Sequence, residues 1–209
     1  MENKKIFISI TLIPEKETDQ LVLDLNNKIS KKFEVNKADT SAQDYAHISL
    51  YNANFPVHNR ELIENTVEKI AQDFSEIKLV PIRMNVKSRF VSVVFEKTEE
   101  LEKLQNEILE LLNPLREGIL QSKYTEKAEF YSERELANAH EYGYPFCKDQ
   151  FSPHMTIAEL QNEKDGDGVI KEVVWDNIIV ANKLSVRILF TDKDGNRVKE
   201  TKLFDLLPK

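Results

Sequence analysis

Two stretches of this chain repeat a strand–helix–strand order, and that repeat restricts the fold more than any other feature. Phe7-Ile8-Ser9-Ile10-Thr11-Leu12 is an apolar, β-branched run stopped by Pro14, so it reads as a buried strand. Leu21, Leu25, Ile29 and Phe33 then recur every four residues, which predicts a helix over Glu17 to Phe33. Ala46 to Tyr51 reads as the next strand. Phe90-Val91-Ser92-Val93-Val94-Phe95 opens a second copy of the same order. Leu101, Leu104, Ile108, Leu111, Leu112 and Leu115 give the buried stripe of its helix. Thr98 is placed to cap that helix, with Glu99 and Glu100 in the first turn. His154 to Leu160 closes the copy as a strand. Two such units predict a mixed α and β chain with two similar lobes related by a pseudo-twofold and facing a shared cleft.

The remaining segments fit around this frame. Leu62, Ile63, Val67, Ile70, Ala71 and Phe74 form one face of a further helix, and Ile77 to Val86 reads as a strand in which Pro81 marks an edge or bulge. The second arm is longer than the first, and the excess falls within Arg116 to Tyr144. Ser132 and Glu135 have capping-box spacing there, predicting a short helix to about Glu141 that closes near Gly143. Val173 to Ala181, Leu184 to Phe190 and Val198 to Phe204 read as tail strands, the last two joined by a turn at Asp194-Gly195. Five glycines and seven prolines in 209 residues leave no flexible linker. Residues 1–209 are therefore expected to form one bilobal domain, with an insertion at 116–144 that borders the cleft and helps select the substrate.

Composition narrows the class of ligand. A formal net charge of −7 argues against a protein that coats long nucleic acid, yet suits a small phosphate ligand or a nucleic-acid end held in a local positive cleft. No apolar run is long enough to cross a bilayer, and the charged start from Met1 to Lys5 does not read as a secretion signal. The single cysteine, Cys147, excludes an internal disulfide and a cysteine-based zinc site. A cytoplasmic monomer with no membrane partner, metal or cofactor is the expectation.

The chemistry lies in two short motifs. His47-Ile48-Ser49-Leu50 and His154-Met155-Thr156-Ile157 share the order histidine, apolar, hydroxyl, apolar. Side chains alternate across a strand, so each motif presents an imidazole and a hydroxyl on one face and sends its apolar residues to the other. Imidazole suits proton transfer near neutral pH. One ring can take a proton from an attacking oxygen while the other gives one to a leaving oxygen. Ser49 and Thr156 can donate hydrogen bonds to the non-bridging phosphate oxygens. Either motif alone is ordinary, since a histidine two residues before a hydroxyl is common on sheet edges. Two copies in matching repeats are much rarer.

On these residues the chain resembles the 2H phosphoesterase superfamily, which includes 2′-5′ RNA ligase-like proteins and cyclic nucleotide phosphodiesterases. The paired motif carries the resemblance. The opening strand, the block Arg89 to Leu115 and the Phe151-Ser152-Pro153-His154 approach support it over nearly the whole chain. The resemblance implies an α+β bilobal fold, two pseudo-symmetric lobes of antiparallel sheet with outer helices around a central cleft, and metal-independent cleavage or transfer of phosphodiesters. His47 and His154 would be the acid–base pair, and Ser49 and Thr156 the phosphate ligands. Many ligase-like members carry an arginine shortly after the second motif, where this chain has Ala158 and Glu159; Ser49 stands where threonine is common.

The leading expectation is thus a phosphodiesterase acting on a cyclic phosphate or a short 2′-5′ or 3′-5′ oligonucleotide. The alternatives are a nucleotide-binding sensor or sponge without turnover, and an RNA-end ligase, against which the low positive charge speaks. Tyr45, Tyr51, Tyr144 and Phe151 flank the motifs and are candidates to stack on a base, although packing accounts for most of them. Lys123, Arg134 and Lys148 are candidates to bring positive charge to the cleft. His58 reads as a solvated residue at a helix start and His140 as a surface histidine near a helix end. A Cys147–His154 nucleophilic pair is the weakest reading.

Overall fold

The computed structural model describes residues 5–36, 46–191 and 196–208. The turn expected at Asp194-Gly195 and the candidate Tyr45 lie outside the described residues. In chain order the elements are β1 (Lys5–Pro14), α1 (Glu17–Ser30), β2 (Ile48–Pro56), α2 (Arg60–Asp73), β3 (Ile77–Leu79), β4 (Pro81–Lys87), β5 (Phe90–Phe95) and α3 (Glu99–Leu112). They continue with α4 (Lys123–Glu126), α5 (Glu133–Tyr142), β6 (His154–Glu159), α6 (Gly166–Glu172), β7 (Ile179–Thr191) and β8 (Arg197–Asp205).

Every described strand pairing is antiparallel, and the sheet runs β3-β7-β1-β2-β6-β5-β4, with β8 also on β7. The expected repeat is visible in this order. β1 and β2 belong to one half, β5 and β6 to the other, and the halves meet where β2 touches β6. The helices are exchanged between the halves: α1, which follows β1, lies on β6, and α3, which follows β5, lies on β2. Ile8, Ile10 and Leu12 of β1, Val91 and Val93 of β5, and Leu184, Val186 and Ile188 of β7 are buried in one continuous core. The periodic faces of α2 (Ile63, Val67, Ile70, Ala71) and α3 (Leu101, Leu104, Ile108, Leu109, Leu112) pack into it.

Local chemistry sets most helix ends as expected. The Thr98 side chain accepts from Leu101 N–H at 3.3 Å. Ser132 and Glu135 form a full capping box on α5, which Gly143 closes at φ 73°. Several strand expectations need correction. Ile77 to Val86 is two strands on different halves: β3 pairs with β7, and β4, begun by Pro81, forms the outer edge beside β5. Val173 to Ile178 pairs with no strand among the described residues, and the side chains of Val173 and Trp175 are buried. β7 starts at Ile179, joining the last three residues of the first expected tail strand to the whole of the second. β2 begins at Ile48 and runs on to Pro56.

Each half carries a bulge at the same place. Ile10 faces Tyr51 and Thr11 faces Ser49, which leaves Leu50 without a partner; Val91 faces Ala158 and Ser92 faces Thr156, which leaves Ile157 without one. The freed carbonyls are taken by buried amides from the exchanged helices. Gln105 of α3 donates to Leu50 O at 3.1 Å, and Asn26 of α1 donates to Ile157 O at 2.9 Å. Gln105 Oε1 also accepts from Lys148 N–H at 3.2 Å. Replacing Gln105 with leucine strands a buried carbonyl and an amide, at about 1–1.5 kcal/mol for each lost partner. A fall in melting temperature of roughly 5–10 °C is expected, read by thermal denaturation beside wild type.

Candidate active site

Among the described residues the halves of the sheet are joined by one residue pair, Ile48 with Met155, and both side chains are fully buried. Antiparallel neighbours run in opposite directions, so one step away Ser49 stands across from His154, and His47 across from Thr156. Alternation then sends all four side chains to the face opposite Ile48 and Met155. The two histidines occupy one diagonal of this rectangle and the two hydroxyl residues the other. Diagonal neighbours in such a pair are about 7–8 Å apart at the backbone, a span that two imidazoles can close around one phosphate. The pseudo-twofold passes through the Ile48–Met155 pair.

His47 and Ser49 are half-buried, whereas His154 and Thr156 are exposed. The Nδ1 atom of His154 lies 2.8 Å from Ser152 O. A carbonyl only accepts, so Nδ1 carries the hydrogen and Nε2 is left as the atom that exchanges a proton. The register also adds hydroxyls that the motifs did not reveal. Thr11 lies beside Ser49 and Ser92 beside Thr156, each on the motif face, and Ser185 lies beyond Thr11 on β7. Thr11, Ser92 and Ser185 are all buried. Thr11 Oγ1 and Ser185 Oγ have no hydrogen-bond partner among the described residues, so this floor can still accept or donate.

The long segment between α3 and β6 reaches both halves of the sheet. Gln121 donates to Asn52 O at 3.4 Å, and Asn52 shares the motif face through its pairing with Ser9. The Tyr144 hydroxyl also engages Asn52. Phe146 lies beneath the ammonium of Lys87 at 5.0 Å from the ring centroid, at the far end of β4. Tyr124, Tyr131, Tyr144 and Phe146 form a chain of edge-on and tilted ring contacts within the segment.

The remaining candidates separate by burial. Tyr51 is a correction: it is fully buried, its hydroxyl donates to Tyr142 O at 2.6 Å, and burial pushes that hydroxyl's pKa far up. It supports the core and cannot stack on a base. Tyr144 and Phe151 are 7% and 5% exposed, so each offers at most a ring edge. Arg134 is held by Asp149 through contacts of 2.8 and 2.9 Å, and its guanidinium holds the Asp149 carboxyl well below the usual range. Lys148 lies 3.7 Å from Glu110 and over the Tyr142 ring. Lys123 is exposed, its ammonium 4.9 Å from the Tyr124 ring centroid, and desolvation lowers its pKa. His58 pairs with Glu117 at 2.9 Å, and His140 is exposed on α5.

Cys147 is fully buried, its thiol donates to Tyr144 O at 3.1 Å, and burial pushes its pKa up to about 12. Such a thiol is not a nucleophile. Iodoacetamide at pH 8 is expected to leave the native protein unlabelled and to label it after unfolding, read by intact mass. Among the described residues no three histidine, cysteine or acidic side chains are grouped to hold a metal ion, and no helix is long and apolar enough to cross a membrane.

Comparison with solved structures identifies the fold. Escherichia coli LigT in complex with phosphate is similar over 98% of this chain and 99% of its own, with a TM-score of 0.52 at 11% identity. LigT in complex with 3′-AMP gives a TM-score of 0.55 at 11% identity over 97% and 98% of the two chains. TT0787 of Thermus thermophilus gives 0.59 at 11% identity over 97% and 99%. The chain therefore has the LigT-like, 2H phosphoesterase fold. It belongs to the family described as "Protein of unknown function (DUF1045)", whose model matches residues 54–184. That match takes in the His154 motif and begins just after the His47 motif. No curated protein matches the chain.

Proposed function

We propose that this protein is a phosphodiesterase that opens a cyclic phosphate or cleaves a short 2′-5′ or 3′-5′ oligonucleotide, with His47 and His154 as its acid and base. The observation that supports this most is the Ile48–Met155 register, from which both imidazoles and both hydroxyls share one face. One histidine takes the proton from water or a ribose hydroxyl as that oxygen attacks phosphorus. The other gives a proton to the oxygen that leaves. Ser49 and Thr156, on the crossing diagonal, donate to the two non-bridging oxygens as negative charge gathers there. The tautomer set by Ser152 O gives His154 Nε2 the proton-transfer role at its end. The fold shared with LigT, which has been crystallised with phosphate and with 3′-AMP, is in keeping with a phosphate at this face. The segment at 116–144 borders the same cleft and selects the substrate.

The test is a panel of 2′,3′-cyclic nucleotides and short 2′-5′ and 3′-5′ oligonucleotides, incubated with wild type and with the His47→Ala, His154→Ala double variant. Product with wild type alone, unchanged by EDTA, is the expected result. Tight binding of a nucleotide with no product from any member of the panel would move the reading to a sensor.

A further inference from the structure

The pseudo-twofold extends beyond the motif residues, and it pairs two cations that the motifs do not announce. Thr11 and Ser92 are equivalent, because each stands beside the hydroxyl residue of one motif. On β7, Ser185 lies opposite Thr11 and Arg187 opposite Ser9. On β4, Asn85 lies opposite Ser92 and Lys87 opposite Phe90. Counting outward from the axis in the same sense, Arg187 in one half corresponds to Lys87 in the other. Antiparallel partners share a face, so both residues rise from the face that carries His47 and His154. Both are placed two strand spacings, about 9–10 Å, to the side of their half's motif strand, and on opposite sides of the axis.

Resting on the phosphodiesterase reading, we propose that Arg187 and Lys87 are two flanking phosphate subsites, so that the site takes a linear oligonucleotide with a phosphate on each side of the central one. A diester at the pseudo-twofold would lie between them, and a chain leaving it in both directions meets a cation each way. The two positions are cationic in a protein whose net charge is −7. They bring positive charge to a face whose second motif is followed by Ala158 and Glu159 and not by a cation. Lys87 has an aromatic partner suited to the task. Its ammonium lies 5.0 Å from the centroid of the half-buried Phe146 ring, so a phosphate on the cation brings the adjoining base to an aromatic edge.

The experiment compares wild type with Lys87→Met and Arg187→Met, substitutions that keep much of each side chain's length and remove its charge. Binding of a 5′-phosphorylated 2′-O-methyl trinucleotide with a 3′ fluorophore, which carries three phosphates, followed by anisotropy across a salt series, is the first readout. Each variant is expected to weaken binding about five- to tenfold and to reduce the log–log salt slope by about 0.7, the value for one phosphate contact on a single strand. Turnover of a 2′,3′-cyclic mononucleotide, which has no flanking phosphates, is expected to stay within twofold of wild type. Unchanged trinucleotide affinity and slope in both variants would overturn the proposal, as would an equal loss on the mononucleotide. Turnover by the wild type keeps the two readings apart. A protein that binds the trinucleotide through Lys87 and Arg187 but cleaves nothing retains the subsites and sinks the phosphodiesterase reading.

Discussion

Replacing either His47 or His154 with alanine is expected to lower kcat on the cleaved substrate by about 10²–10⁴-fold, the range for loss of a positioned general acid or base. In the proposed mechanism the two rings act on one phosphorus at the same moment, so removing both is expected to cost little more than removing the worse one. Each variant should still bind the substrate within a few-fold of wild type, because Ser49, Thr156 and the hydroxyl floor remain in place. kcat/KM is expected to follow a bell-shaped pH profile, since one ring must be protonated while the other is not. Loss of one histidine leaves only one limb of that bell. Steady-state kinetics across pH, with melting temperatures to exclude misfolding, checks all of this. Wild-type rates in both single variants would end the mechanism.

Much of this was legible in the chain because the motif residues obey a simple period. Alternation alone put His47 with Ser49 and His154 with Thr156, and the two flanking strand–helix units argued for lobes of like construction. What alternation could not supply was register across the axis. Nothing local in His47-Ile48-Ser49-Leu50 says that Ile48 will meet Met155, and that one pair decides whether four polar groups converge or scatter. The bulges were hidden for the same reason: Leu50 and Ile157 look like ordinary buried strand residues, and only their cross-strand neighbours reveal that each is skipped. The repeat was also misaligned by two residues. Phe7 and Phe90 look equivalent because both are aromatic, but the pairing matches Thr11 with Ser92 and so Ser9 with Phe90. Arg187 and Lys87 were missed in consequence, since their correspondence exists only in that corrected frame. Tyr51 misled in the opposite way: its place beside the motif suggested contact with a substrate, but the bulge at Leu50 turns it inward.

Arg116→Met is expected to loosen the segment between α3 and β6, at a cost of about 4 kcal/mol. Arg116 is 3% exposed, so its guanidinium must be satisfied by protein. It donates to Asn113 Oδ1 at 3.2 Å, to Ile119 O, to His140 O at 3.5 Å and to Glu141 O at 3.1 Å. The last two carbonyls belong to the final turn of α5, where a cation also meets the negative end of the helix. One side chain thus ties the start of the segment to the end of α5, and Gly143 leaves room for it. A Cβ at Gly143 would stand 2.6 Å from Arg116 Cδ, and the residue's φ of 73° already favours glycine. Methionine fills the space of the stem but leaves these oxygens without donors, at about 1–1.5 kcal/mol each for the better contacts. Lysine should restore little, because one ammonium cannot reach four acceptors spread around a planar fork. For a chain of this size the expected fall in melting temperature is roughly 8–16 °C. Limited proteolysis separates local from global damage: cuts between residues 117 and 131 should appear in the folded variant well below its melting temperature and be absent from wild type. A melting temperature within about 2 °C of wild type would show that the segment is held by its aromatic contacts instead. In that case Phe146 and Tyr144 keep their places without Arg116.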